Sequence, residues 1–263
     1  MTTSANSIAQ PVPARLLRGA MHLALAATVL SAVDHAVVSV VALVPDAGDW
    51  ASRLKAIDGT HLAWASVQIV AAVLALPLGY LLVSLAYPLP RLSSLASSNP
   101  AAAIQGTAHI FGAAAVSTAC FGGVDGQSFV IGAAYAGICW LALIVICATH
   151  RKVTGFRDQD EVAAGNIAAA LASAGLHLSV ALMVVGATEG TFDGWRPSLV
   201  AFGRSLVWVL ALYPFRQFVV ARLVLDMTPT ELDRRVSVDR DPWIGGVEGL
   251  GYIFAALVLS SAW

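Results

Sequence analysis

The sequence predicts an all-α fold, a polytopic membrane helical bundle, and three observations carry the prediction. Hydrophobic residues make up 58% of the chain and charged residues 12%, with a mean hydropathy of +0.76. That leaves too few charges to clothe a soluble globule of this length and too much apolar surface to leave in water. The apolar residues fall into seven runs, at 19–44, 62–86, 101–122, 129–149, 166–187, 199–225 and 243–263. Each is long enough to cross a hydrocarbon core of about 30 Å, which takes roughly 20 helical residues. One helix also recurs: His109-Ile-Phe-Gly-Ala-Ala-Ala-Val-Ser-Thr-Ala119 matches Tyr252-Ile-Phe-Ala-Ala-Leu-Val-Leu-Ser-Ser-Ala262, and His22 and His177 stand about a third of the way into related small-residue runs. The expected architecture is seven transmembrane helices, built as three helix–linker–helix repeats behind a leading helix.

In chain order, residues 1–14 read as a disordered polar tail and 15–44 as the leading transmembrane helix. Arg15 and Arg18 before an apolar run imitate a secretory signal. Aligning His22 with His177, however, also sets Asp34 opposite Glu189, so the run shares the pattern of the fifth span and counts as a retained helix. The three repeats follow at 62–123, 128–190 and 197–263. Each linker ends in Asn or Asp (Asn99, Asn166, Asp241) at the mouth of the next span, where a short acceptor side chain caps unpaired helix amides. In the third linker Thr228-Pro-Thr-Glu231 spells a capping box with proline at the first helical position and predicts a short interfacial helix. The pairs Gly132/Ala136, Ala169/Ser173 and Gly245/Gly249, four residues apart, allow close helix contact, within the chain or between copies in a homo-oligomer. Pro77 and Pro214 are the candidate helix breaks. Cys120, Cys139 and Cys147 fall in or at the ends of spans and read as small packing residues.

Charge sets the orientation. With a cytoplasmic N-terminus, ten Lys and Arg residues lie inside (Arg15, Arg18, Arg91, Arg151, Lys152, Arg157, Arg222, Arg234, Arg235, Arg240) and three outside (Arg53, Lys55, Arg196). The C-terminus is then external, and Trp50, Trp64, Trp195 and Trp263 fall at the outer boundary, where an indole is comfortable. The loops are too short for a soluble catalytic or nucleic-acid-binding domain, and a net charge of −1 indicates no polyanionic partner. The partner the composition requires is the lipid bilayer.

The stretch Glu161-Val-Ala-Ala-Gly-Asn166-Ile-Ala-Ala-Ala-Leu-Ala-Ser-Ala-Gly175, a following linker of the Arg-Leu-x-x-x-x-Thr-Pro type and a final small-residue span ending in Trp resemble the bacterial integral-membrane family called domain of unknown function 350. The resemblance is clearest over 129–263 and returns more weakly over 62–122. Typical members have four spans in two such units, whereas this chain has three units and an extra helix. The resemblance implies an inner-membrane bundle of unknown activity, with membrane-stress or polyamine-related proteins as partners, and offers no catalytic residue to carry over.

Two sets of polar residues within the spans are candidates for function, since ionisable groups in a bilayer need partners, water or a purpose. The first is the intramembrane charge of Asp34, Glu189, Arg204, Arg216 and Glu248. At about 1.5 Å per residue, Arg216 and Glu248 sit at similar depth from the cytoplasmic side and should pair, and Arg204 has Asp34 and Glu189 in its half. These pairs line a path or only fix helix register. The second is a ring layer of His22, His109, His177 and Tyr252, expected to face the interior in the cytoplasmic half. Such rings pack small-residue interfaces, with no cofactor, or else hold haem or a metal, or relay protons. No HExxH or GxSxG motif occurs, and the chain does not read as an enzyme. The leading functional reading is transport or sensing of a small solute or ion. A haem- or metal-binding redox protein and a non-catalytic membrane-stress scaffold are the alternatives.

Overall fold

The computed structural model describes residues 12–42, 59–86, 99–123, 125–152, 156–189 and 192–260. Within them every regular element is helical: α1 (Val12–Ala42), α2 (Gly59–Ala86), α3 (Pro100–Cys120), α4 (Gly126–Arg151), α5 (Asp158–Ala163), α6 (Ile167–Gly186), α7 (Trp195–Val224), α8 (Pro229–Ser237) and α9 (Pro242–Ser260). The first linker, Trp50 and Trp263 lie outside the described residues. The leading helix begins at Val12, within the stretch expected to be tail.

Helices occupy all seven apolar runs, and five of them, α2, α4, α6, α7 and α9, are long and apolar enough to cross a membrane. Helix α3 is less apolar than these five, and its sequence gives the reason. In α3 Gln105, Thr107, His109, Ser117 and Thr118 interrupt the alanines, and most of these side chains are buried. A helix enclosed by other helices needs small residues more than apolar ones.

The centre of the bundle is α6, which packs against α3, α4 and α9. Size, more than polarity, separates its inside from its outside. In α2 the buried face is Ala65, Gln68, Ala72, Ala75, Leu76, Gly79 and Val83, while Leu62, Val70, Leu74, Leu78 and Leu85 point outward. Leu141, Leu210, Phe218, Leu223, Leu250 and Phe254 extend this exposed apolar surface around other helices, as a lipid-facing wall requires. Glycine supplies the closest contacts. A Cβ on Gly245 or Gly249 would overlap the α6 backbone at Ala168 or Leu171, one on Gly175 would overlap Gly249, and one on Gly132 would overlap the Cys120 carbonyl. The small-residue faces thus serve contacts within the chain.

Local chemistry sets the helix ends. Asn99 and Asn166 each accept from the backbone N–H three residues on, both at 3.1 Å, and Asp241 accepts from Trp243 N–H at 3.0 Å. Thr228 accepts from Glu231 N–H at 3.1 Å with Pro229 in the first turn, so α8 starts at the expected capping box. The short α5 was not anticipated. It closes with Gly165 at φ 82, with Asn166 N–H donating to Glu161 O at 2.9 Å and Gly165 N–H to Val162 O at 3.0 Å. These two bonds satisfy carbonyls that the end of a helix leaves open, and the left-handed φ favours glycine there.

The capping asparagines also join one linker to the next. Asn99 Nδ2 donates to the carbonyls of Val162 (3.1 Å) and Ala163 (3.3 Å) at the end of α5, and Asn166 Nδ2 donates to the carbonyl of Val236 (2.9 Å) at the end of α8. Val162 and Val236 are themselves buried. Each asparagine thus caps its own span and holds the next linker helix.

The sixth run departs most from a regular helix. After an α-helical start at Trp195–Leu206, it tightens to a 3-10 turn at Val207–Ala211 and widens to a π-helix at Phe215–Val224, directly after Pro214. Proline has no N–H and crowds the preceding turn, so the change of hydrogen-bond register falls where the ladder is weakest. Pro77, the other expected break, sits inside an uninterrupted α2.

Candidate functional site

Arg216 occupies the second position of the π-helical stretch and is wholly buried. Its Nε donates to Glu248 Oε1 on α9 at 2.6 Å, and its Nη2 donates to Asp233 Oδ1 on α8 at 2.5 Å. The expected Arg216–Glu248 contact therefore forms, with a second carboxylate that sequence reasoning missed. Asp233 escaped notice because it lies in a linker. The amphipathic α8, which buries Leu232 and Val236, folds that linker under the bundle and turns Asp233 toward α7. The Glu248 side chain is 3% exposed and that of Asp233 22%. Arg216 Nη1 and Glu248 Oε2 are buried, with no hydrogen bond among the described residues.

The ring layer splits in two. His109 on α3 and His177 on α6 are buried and touch, with ring centroids 4.4 Å apart at 46°. His109 Nε2 lies 2.8 Å from Gln105 Nε2, and His177 Nδ1 lies 3.9 Å from Cys147 Sγ. Tyr252 instead meets His150, at the end of α4, with centroids 5.3 Å apart and its hydroxyl 3.4 Å from His150 Nε2. His22 corrects the expectation, because it is exposed on α1 rather than facing the interior. The small residues of that helix, Ala20, Ala24, Thr28 and Ala32, take the buried face instead. His150 was missed because it closes the span, where a linker was expected to begin.

Arg204, Asp34 and Glu189 are all exposed, and among the described residues no ion pair joins Arg204 to either carboxylate. They do not repeat the arrangement around Arg216. Arg204 lies on the exposed side of α7, away from Phe202, which is buried against Tyr135 of α4. Glu189 instead lines a cleft of about 330 Å³ at the end of the bundle away from the linker helices, with His35, Ser128, Tyr135, Thr188 and Ser198. A second cleft, of about 400 Å³, opens at the linker end beside Lys152, Arg157, Asp158 and Asp160. Asp158 is buried.

A haem does not fit between His109 and His177, since rings in direct contact leave no room for a macrocycle. Among the described residues no group of three or more His, Cys, Asp or Glu side chains is placed to hold a metal ion. The groups that are assembled suit the binding of charge: a buried guanidinium between two carboxylates, and a Tyr–His pair on the adjoining faces of α9 and α4.

One family pattern, described as Domain of Unknown Function (DUF350), matches residues 123–263, more than half of the chain. This segment holds the whole of the Arg216 centre, with His150, Asp158, Asn166, His177 and Tyr252. No curated protein and no solved structure matches the chain.

Proposed function

The chain belongs to the DUF350 family, and from that premise we propose that it is a bacterial inner-membrane bundle that transports or senses a small ion or solute through the Arg216 centre. The observation that carries the reading is a fully buried arginine bonded to Glu248 and Asp233 from a π-helical stretch. A buried ion pair is a poor stabiliser, because desolvation offsets most of the attraction, and apolar residues of similar size do as well or better. Charges kept within a span at that cost mark sites of ion handling in membrane proteins. Irregular helix hydrogen bonding frequently accompanies functional sites. The clefts beside Glu189 and beside Asp158 lie at opposite ends of the bundle, as access from two faces requires.

In this reading the chain crosses seven times with its N-terminus cytoplasmic, and α3, although less apolar, crosses inside a ring of neighbours. Its three helix–linker–helix units are joined at Asn99 and Asn166. An ion that is moved or sensed must bind, so two measurements test the proposal. The full chain in nanodiscs is screened for thermal stabilisation across monovalent cations, protons and small anions, and the same set is assayed for flux in proteoliposomes. One ion should stabilise or cross, with the effect lost in Asp233→Asn, a variant at the half-exposed edge of the centre. Responses identical in wild type, in Asp233→Asn and in Arg216→Ala across the whole set would end the reading.

A further inference from the structure

The cleft at the end of the bundle away from the linker helices has a lining that selects for charge. His35 reaches it from α1, Ser128 and Tyr135 from α4, Glu189 from the end of α6, and Phe192 and Ser198 from the chain around the start of α7. Among the described residues no lysine or arginine lines it, and Glu189 forms no ion pair. Two more acidic residues are tied to the lining serines. Ser128 N–H donates to Asp125 Oδ1 at 2.7 Å, and Asp193 N–H donates to Ser198 Oγ at 3.3 Å. Arg196 is exposed and stays out of the lining. Such a cleft attracts positive charge.

Size and packing narrow the choice of cation. At about 330 Å³ the space stands at the small end of the usual range for ligand pockets, about 300–1,000 Å³. Two of its walls are aromatic rings. Tyr135 is held between Trp195, stacked at 6.2 Å and 11°, and Phe202, edge-on at 6.1 Å and 83°, while Phe192 meets Trp195 at 5.2 Å and 79°. A ring fixed in this way attracts an organic cation through its quadrupole, whereas a hard metal cation requires a shell of oxygen atoms. A further polar group stands behind the wall at Gly123. Gln68 on α2 is 1% exposed, neither atom of its amide has a hydrogen bond among the described residues, and a Cβ on Gly123 would lie 3.2 Å from its Nε2. That Cβ would also overlap Ser128, so glycine is required at 123 and leaves the amide at the edge of the cleft. Gln68 Oε1, Ser128 Oγ and Ser198 Oγ are acceptors that suit a ligand with N–H groups.

We infer that this cleft binds a small primary monoamine as its ammonium cation. Glu189 pairs with the charge, Tyr135 and Phe192 face it, and the hydroxyl and amide acceptors take N–H groups that Glu189 leaves over. One lining carboxylate matches one positive charge, and Ile131, Ala187 and Ala201 match a short apolar body. The site is separate from the Arg216 centre and does not rest on it. A primary ammonium reaches this end of the bundle either as a free amine or as the headgroup of an aminophospholipid.

Butylammonium is the probe, titrated calorimetrically into the full chain in nanodiscs of phosphatidylcholine and phosphatidylglycerol. It should bind saturably, while butanol and butyrate, which lack the charge or carry the opposite one, should not. Tetramethylammonium, with the charge but no N–H, should bind more weakly. Glu189→Gln, at an exposed position, should weaken butylammonium on the order of tenfold, and Gln68→Leu and Tyr135→Leu about threefold or more each. No saturable binding, equal binding of butanol, or wild-type affinity in Glu189→Gln overturns the site. Equal binding of tetramethylammonium overturns the primary amine. Wild-type affinity in both Gln68→Leu and Tyr135→Leu overturns the cleft and leaves an exposed carboxylate only. Phosphatidylethanolamine added to the nanodiscs separates the two sources: unchanged affinity for butylammonium assigns the cleft to free amines, and loss of binding through competition assigns it to the lipid headgroup.

Discussion

Arg216 is the residue on which the centre depends, because it meets two carboxylates and has no exposed surface. Arg216→Met leaves Glu248 and Asp233 facing each other and should cost about 3–5 kcal/mol, the usual result of removing one partner from a buried pair. Adding Glu248→Met should recover part of that loss, since replacing both partners by apolar residues approaches neutrality. Unfolding in mild detergent measures both, and strictly additive losses would mean that the two side chains are not coupled. A contrasting pair of histidines tests the split of the ring layer. His22→Leu, on an exposed face, should change stability by less than about 0.5 kcal/mol, whereas His177→Ala empties a buried site in contact with His109 and should cost about 2 kcal/mol or more. The Arg216–Glu248 meeting was legible in the sequence because depth follows from counting residues inward from each helix end. The exposure of His22 was not, since depth says nothing about which way a residue faces. On α1 small and large apolar residues are interspersed too evenly for the pattern to reveal its buried side.

Asn99 and Asn166 do two things at once at the scale of the element, and only the first was legible. Capping is local and is written in the few residues after the asparagine, whereas the Nδ2 bonds to Val162 and Val236 span 63 and 70 residues. The two roles separate by experiment. Asp caps a helix as well as Asn does, but it has no N–H to give the next linker. Asn166→Asp also brings a carboxylate to Glu161 Oε2, which Asn166 Nδ2 meets at 2.9 Å. The variant should lose about 1–3 kcal/mol, the cost of leaving a buried acceptor unpaired, and should speed amide exchange at the end of α8. A loss confined to the first turn of α6 would show that capping alone matters. The surface of α8 responds to pH. Hydrogen bonding from Arg234, with Arg235 nearby, holds the Glu231 carboxyl below the usual carboxylate range. A lowered folded value means its contribution is complete above the ordinary carboxylate pKa and disappears as pH falls through the folded value. Amide exchange in α8 should therefore quicken in acid, after correction for the intrinsic rate, and Glu231→Gln should flatten that dependence.

For the whole molecule, sequence and structure agree on where the linker helices belong. Asn99 reaches α5 and Asn166 reaches α8, so the mouths of α3 and α6 share one end of the bundle with both linker helices. Arg151, Lys152, Arg157, Arg234, Arg235 and Arg240 gather at that same end in the sequence. The positive-inside bias predicts that it is the cytoplasmic end, and seven crossings are expected if the loop around Asp49 and the turn around Asp193 lie on the opposite face. The hydrogen bonds make the prediction stricter than charge alone does. Because α5 and α8 are held to neighbouring helix mouths, they cannot lie on opposite sides of the membrane. In a chain lacking Cys120, Cys139 and Cys147, single cysteines at 157 and 235 should therefore show the same sidedness. They should resist an impermeant maleimide added to intact cells, while cysteines at 49 and 193 should react. Labelling at 157 and 235 together, with 49 and 193 protected, would invert the orientation and leave the bundle intact. Labelling at only one of 157 and 235 would break the linker joints and the seven-crossing topology together.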